Sequence, residues 1–232
     1  MRIFEWKNGK GKEFYSNGSL KFDGEYFNNR EMIGTKYDKE GKVIYELNNV
    51  NGKGKEYDNN NLLIFEGEYL NGKRNGKGKK YYIGGNLLFE GEYINDKRNG
   101  KGKEYYNNGN LMFEGEYLND KKWDGKGYDL KNNLIYELKK GKGLVKEYYD
   151  NGKLRFEGEY VNGQRNGKGK EYNYDGKLRF EGEYLNGKKN WKGKEYYAKG
   201  NLKFDGEYLY NYNIKGKLYI KEKVEFEGEF LF

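Results

Sequence analysis

Carboxylates two residues apart recur along this 232-residue chain, as in Glu157 and Glu159. On one face of a strand such a pair stands about 6.5–7 Å apart, near the spacing at which two carboxyl groups hydrolyse a glycosidic bond. The pair recurs in nearly every segment and no copy has a pocket signature of its own. Lys168 and Lys170 follow on the next strand, so a solvated cross-strand charge ladder is the stronger reading. Gly76-Lys77-Gly78-Lys79 and its copies are glycine-rich enough to suggest a phosphate cradle. None has the GxxxxGK[ST] spacing, and no helix follows to offer its N-terminus, so they read as turns. Cys and His are absent, and Ser16, Ser19 and Thr35 are the only hydroxyl residues besides tyrosine. Thiolate zinc sites, disulfides and Ser-His or Cys-His nucleophiles are therefore excluded. The expectation is a protein that is not an enzyme, with no cofactor and no metal.

Two surfaces remain that could bind. Lys73, Arg74, Lys97, Arg98, Lys121, Lys122, Arg165, Lys188 and Lys189 fall in the connectors, while acidic pairs fall within strands. With 45 Lys and Arg against 37 Asp and Glu, the chain carries a net charge of +8. If the units stack in register, these cations line one edge, and there are three uses for such an edge. It keeps a repetitive sheet soluble and unpaired, holds anionic lipid headgroups, or, least favoured, binds nucleic-acid phosphates. The second surface is aromatic: Phe65, Tyr69, Phe89, Tyr93, Phe113, Tyr117, Phe156, Tyr160, Phe180 and Tyr184 share one face. A single-layer sheet cannot bury both faces against itself, so this row either stays partly open to a protein partner or is packed internally by twist and stacking.

The elements that carry these residues are repeats. Phe-(Glu/Asp)-Gly-Glu-(Tyr/Phe) begins at Phe22, Phe65, Phe89, Phe113, Phe156, Phe180, Phe204 and Phe226. Degenerate copies at Ile44–Leu47 and Ile135–Leu138 fill the two large gaps. The first four units map onto the next four by a constant offset of 91 residues, Gly34 matching Gly125 and Tyr37 matching Tyr128. Residues 1–232 thus read as one array, a duplicated four-unit block with a partial third copy. Within a unit, Leu154, Phe156, Gly158 and Tyr160 share a face, and Asn151-Gly152 signals a type I′ hairpin turn. The connector Asn162–Gly167 leads to the next hairpin. Mid-strand glycines weaken a sheet unless aromatic rings cover them, and Phe156 and Tyr160 flank Gly158. Proline is absent, as a meander that uses nearly every backbone N–H requires.

The fold class is therefore all-β, an elongated single-layer antiparallel sheet of about ten tandem hairpins in a twisted, solenoid-like array. At about 4.8 Å per strand, twenty strands span on the order of 95 Å. Ile3–Trp6 and Phe226–Phe232 are apolar edge segments that suit self-association. No apolar run opens the chain or approaches a membrane span, so a cytoplasmic location is expected.

Phe65–Tyr69 followed by Leu70-Asn71-Gly72-Lys73-Arg74-Asn75-Gly76-Lys77-Gly78 resembles the MORN repeat, with its YEGEW-like strand, NGK turn and GxG entry to the next strand. Asn151–Leu154 and the Lys-Glu-Tyr-Tyr strands at 103–106, 146–149 and 194–197 look more like the bacterial MORN variant of antitoxin-type proteins. Phe replaces the first Tyr, and the units at 36–57 and 128–149 lose Gly-Glu-Tyr. The resemblance implies a non-catalytic scaffold that binds a protein, in antitoxin fashion neutralising it, or else a module that lies against anionic phospholipid.

Overall fold

A computed structural model describes residues 7–27, 30–47, 52–58, 60 and 62–230. Among them are twenty strands and no helix, forming ten hairpins in accord with the repeat count. The strands make two antiparallel sheets in which spatial order follows chain order, without a crossover. One has twelve strands, from Gly9–Phe14 to Leu134–Leu138; the other has eight, from Gly143–Tyr148 to Lys223–Glu229. Neither closes into a barrel. Contacts divide the chain into two compact units, 1–109 with 118–120, and 110–117 with 121–232.

The two hairpin connections of each repeat differ from the expected assignment. At Tyr149–Lys153 the Gly152 N–H bonds to the Tyr149 carbonyl at 2.9 Å, and only Gly152 has positive φ, at 81°. This is a type I turn closed by a left-handed glycine, and the ladder register shifts beside it, between Glu147 and Tyr148. The type I′ turns lie instead at Asn71-Gly72 (φ 53° and 72°) and Asn162-Gly163 (52° and 68°). The connector is therefore only two residues long. Gln164–Tyr172 is already strand, as is Lys73–Tyr81, which contains the glycine-rich run Gly76–Lys79.

Facing glycines run along the middle of most ladders. Gly67 opposes Gly78 and Gly78 opposes Gly91 in the first unit. Gly158, Gly169, Gly182, Gly193, Gly206, Gly216 and Gly228 continue strand by strand in the second. A methyl group added at Gly182 would stand 2.6 Å from the Gly193 Cα and 2.7 Å from the tip of Phe180. No side chain fits between backbone and ring, which explains why glycine recurs here.

The boundary between the sheets has a local cause. In the first block Tyr45, Glu46 and Leu47 pair with Glu56, Lys55 and Gly54. A Cβ on Gly54 would lie 2.8 Å from the Glu46 carbonyl oxygen and 2.8 Å from the Tyr69 ring. The position 91 residues on is Val145, whose buried side chain lies opposite Gly158. Valine cannot make that close approach. Between Leu134–Leu138 and Gly143–Tyr148 only the isolated bridge Lys139↔Lys142 forms. Two degenerate units at the same phase of the duplication thus behave differently. Gly54→Val should open the first-block ladder in the same way. In amide hydrogen exchange, Glu46 and Glu56 should then lose protection to the level of the Leu134–Leu138 strand; unchanged protection would refute this cause.

Candidate functional site

The aromatic row forms the core. Phe65, Phe113, Phe156 and Phe180 are fully buried, Phe89 is 1% exposed, and Tyr69, Tyr93, Tyr117 and Tyr184 are buried beside them; Tyr160 is half-buried. In the second unit the rings alternate edge to face. Tyr184 meets Phe156 at 5.5 Å and Phe180 at 5.4 Å, and Tyr208 meets Phe180 at 5.3 Å. Such pairs add about 0.5–1.5 kcal/mol each beyond the area they bury. The internal-packing alternative describes these rings. Each phenylalanine covers its own glycine and the glycine opposite, as Phe156 does over Gly158 and Gly169.

The nine cations divide by parity along their strands. Arg74, Arg98, Lys122, Arg165 and Lys189 turn inward and cap the rings of Phe65, Phe89, Phe113, Phe156 and Phe180, at 4.2, 5.4, 5.0, 4.0 and 4.4 Å. Arg74 is also bonded to Glu56 at 2.6 Å, and Arg165 to Glu147 at 2.9 Å and to Glu171. Burial holds the Lys189 ammonium below the usual lysine range. Lys73, Lys97 and Lys188 are exposed, Lys188 lying 5.4 Å over the Tyr210 ring. Lys121 is half-buried and donates to the Gln164 side-chain oxygen at 3.1 Å.

The paired carboxylates are structural ties. Glu157 accepts the Tyr172 hydroxyl at 2.7 Å, and Glu159 accepts the Lys168 backbone N–H at 3.3 Å. The same hydroxyl contact recurs between Tyr81 and Glu66, and between Tyr196 and Glu181. At Gly76–Lys79 the Lys77 N–H goes to the Glu68 carboxylate at 3.0 Å, so the chain's own acid takes the place where a phosphate would be held. The second tyrosine of each Tyr-Tyr pair had no assigned role in the sequence. Tyr82 and Tyr149 donate at 2.9 Å to the carbonyls of Tyr105 and Tyr172, stitching each hairpin to the next.

On the face opposite the rings, the second unit has a trough of about 750 Å³. Its floor is the backbone of Gly158, Gly169, Gly182 and Gly193. One wall is the cross-strand row Lys146, Glu157, Lys170, Glu181, Lys194 and Asp205, alternating in sign. The other contains Lys168, Glu183 and Lys192, and one end is apolar, with Ile135 and Leu144. Lys170 and Lys194 reach Glu181 and Asp205 at 4.0 and 3.6 Å. Among the described residues Lys146, Lys168 and Lys192 make no ion pair. Of the two terminal edge segments, Ile3–Trp6, Leu231 and Phe232 lie outside the described residues. Phe226 is 43% exposed, and Phe230 packs on Phe204 at 5.6 Å.

MORN repeat models match residues 65–87, 89–111, 156–177 and 180–202, and models of the MORN repeat variant match 7–28 and 142–162. Together these cover more than half of the sequence. The chain belongs to the MORN repeat proteins. No curated protein matches it. Neither MORN model matches 112–141, which includes the degenerate strand entering the sheet break. MORN repeats form a scaffold family whose members commonly bind proteins or membranes. Among the described residues, no helix is long and apolar enough to cross a membrane.

The ion pairs around Glu147 link the stability of this MORN array to pH. Burial opposes the charge on Glu147, but Arg165 and Arg155, with hydrogen bonds from Arg165 and Tyr160, outweigh it and hold the carboxyl down at about 2, from an ordinary 4.5. A lowered folded-state pKa stabilises the fold above pH 4.5, and that contribution is lost as pH falls towards about 2. Glu147→Gln should therefore melt lower than the parent at pH 6, and the two should converge near pH 2. Melting curves that stay parallel across this range would contradict the assignment.

Proposed function

We propose that this MORN array is a non-catalytic protein-binding scaffold and that the trough of the second unit receives the partner. The observation that carries this reading is the trough's composition. Its floor has no side chains, its end is apolar, with Leu144 73% exposed, and Lys146, Lys168 and Lys192 have no acidic neighbour bound. An acidic segment with one apolar residue complements that surface. The aromatic row then acts indirectly, by setting the curvature and spacing of the strands. In its finer form the partner is neutralised by being bound, which the variant-type repeats at 7–28 and 142–162 support by resemblance.

The test is capture from the native cell with the immobilised full chain. A variant combining Leu144→Ser with Lys146, Lys168 and Lys192→Gln should keep its circular dichroism and melting temperature and lose the captured protein. Retention of the same protein would refute the trough as the site. Neutralisation requires in addition that the captured protein arrest growth when produced alone and be harmless when produced with this chain.

The exposed lysines Lys73, Lys97 and Lys188, at equivalent places in three repeats, favour a second reading, attachment to anionic phospholipid. It calls for salt-sensitive co-sedimentation with phosphatidylserine vesicles that is lost when all three become glutamate.

A further inference from the structure

A glutamate recurs at one station of the ring face and takes up to two kinds of partner there. It accepts the hydroxyl of the tyrosine thirteen residues on, as in Tyr26 to Glu13 at 3.3 Å, Tyr69 to Glu56 at 2.6 Å and Tyr160 to Glu147. It also binds the cation eighteen residues on or six residues back, as in Arg74 to Glu56, Arg165 to Glu147 and Arg98 to Glu104. These carboxylates are folded inward. Glu56, Glu104, Glu147 and Glu171 are 16–21% exposed.

In the first unit one such station holds Lys80. It precedes Tyr93 by thirteen residues, precedes Arg98 by eighteen and follows Arg74 by six. Its ladder position is the ordinary one, opposite Phe65 and Phe89, as Glu171 stands opposite Phe156 and Phe180. Lysine cannot accept a hydroxyl proton or pair with arginine, and Lys80 is exposed. The Tyr93 hydroxyl is left buried, in a residue only 3% exposed, with no hydrogen bond. The hydroxyls of Tyr184 and Tyr208 are also unbonded, but thirteen residues before them stand Glu171 and Glu195. Tyr93 alone of the three has no carboxylate at the station. Burial raises its hydroxyl to about 12. Arg98 stands opposite Tyr93 across the ladder and also holds Glu104 and the Asp120 carbonyl, and Arg74 lies on the Phe65 ring that Tyr93 meets edge to face at 5.3 Å. Arg74 commits its Nε and Nη2 to Glu56, leaving Nη1 as a donor.

We propose that Arg74, Lys80, Arg98 and the Tyr93 hydroxyl form a binding site for one oxyanion, a carboxylate or a phosphate, in the position that glutamate occupies in the sister repeats. The occupant accepts from Tyr93 and bridges the guanidiniums, as Glu147 does between Tyr160 and Arg165. Two sources supply that chemistry: a small free anion, or an acidic side chain presented by a bound protein. The site is in the first unit and does not depend on the trough.

The experiment uses the full chain at constant ionic strength and follows melting temperature and calorimetric binding. One arm adds inorganic phosphate, and another adds a blocked glycine-rich peptide with a single glutamate. Either probe raising the melting temperature of the parent supports the site; phosphate identifies the free anion and the peptide alone identifies a protein carboxylate. Lys80→Glu places a carboxylate at the station, so it should melt higher than the parent without any addition and lose the response. Tyr93→Phe should weaken binding about tenfold, the worth of one charge-assisted hydrogen bond. An unchanged response in Lys80→Glu, or in Tyr93→Phe should the first variant fail to fold, overturns the proposal, as does a parent that responds to neither probe.

Discussion

Each buried phenylalanine of the repeat lies across two glycines that face one another in neighbouring strands, and the rest of the molecule is arranged around that contact. A methyl group at either glycine would collide with the opposite backbone or with the ring tip. The ring in turn would be open to water if it lacked its edge-to-face tyrosine and the cation above it. The ring therefore needs four other residues at once, two of which, as Gly169 and Arg165 for Phe156, come from the adjacent strand. This is how a chain with 34% hydrophobic residues and no helix among its described residues obtains a core: the sheet is buried against its own rings, one repeat at a time.

Charge follows from the same geometry. Once an arginine lies on a ring, its guanidinium is partly desolvated and must be paired. The repeat supplies a glutamate within hydrogen-bond reach, and that glutamate also takes a tyrosine hydroxyl. Much of the apparent ionic surface is thus internal. The cations left for other molecules are those that the strand's two-residue alternation turns outward. On the opposite face, lysine strands alternate with acidic strands, and a nearly neutral wall follows from repetition alone.

Much of this was legible in the sequence. The repeat period, the hairpins and the shared face of Phe156, Gly158 and Tyr160 follow from a two-residue alternation that does not depend on any distant contact. Asn-Gly marked turns correctly but not their type, because Asn151-Gly152 and Asn162-Gly163 are alike locally and differ in the ladder register beside them. The cations of Lys73-Arg74 and its copies read as connector residues because the turn is shorter than its polar composition suggests. The stitching tyrosines, Tyr82 and Tyr149, were hidden because their acceptors are backbone carbonyls 23 residues away, which have no sequence signature.

The sequence by itself determined the repeating unit and its all-β class, since both follow from spacing along the chain. Tertiary structure decided which of two adjacent cations is buried and which carboxylates are already occupied. It also decided where the sheet divides, at Val145 and not at its counterpart Gly54. Those outcomes depend on what stands opposite a residue across a ladder. Register between strands is set by bulges and close backbone approach, so a side chain acquires its role only when its neighbour is in place.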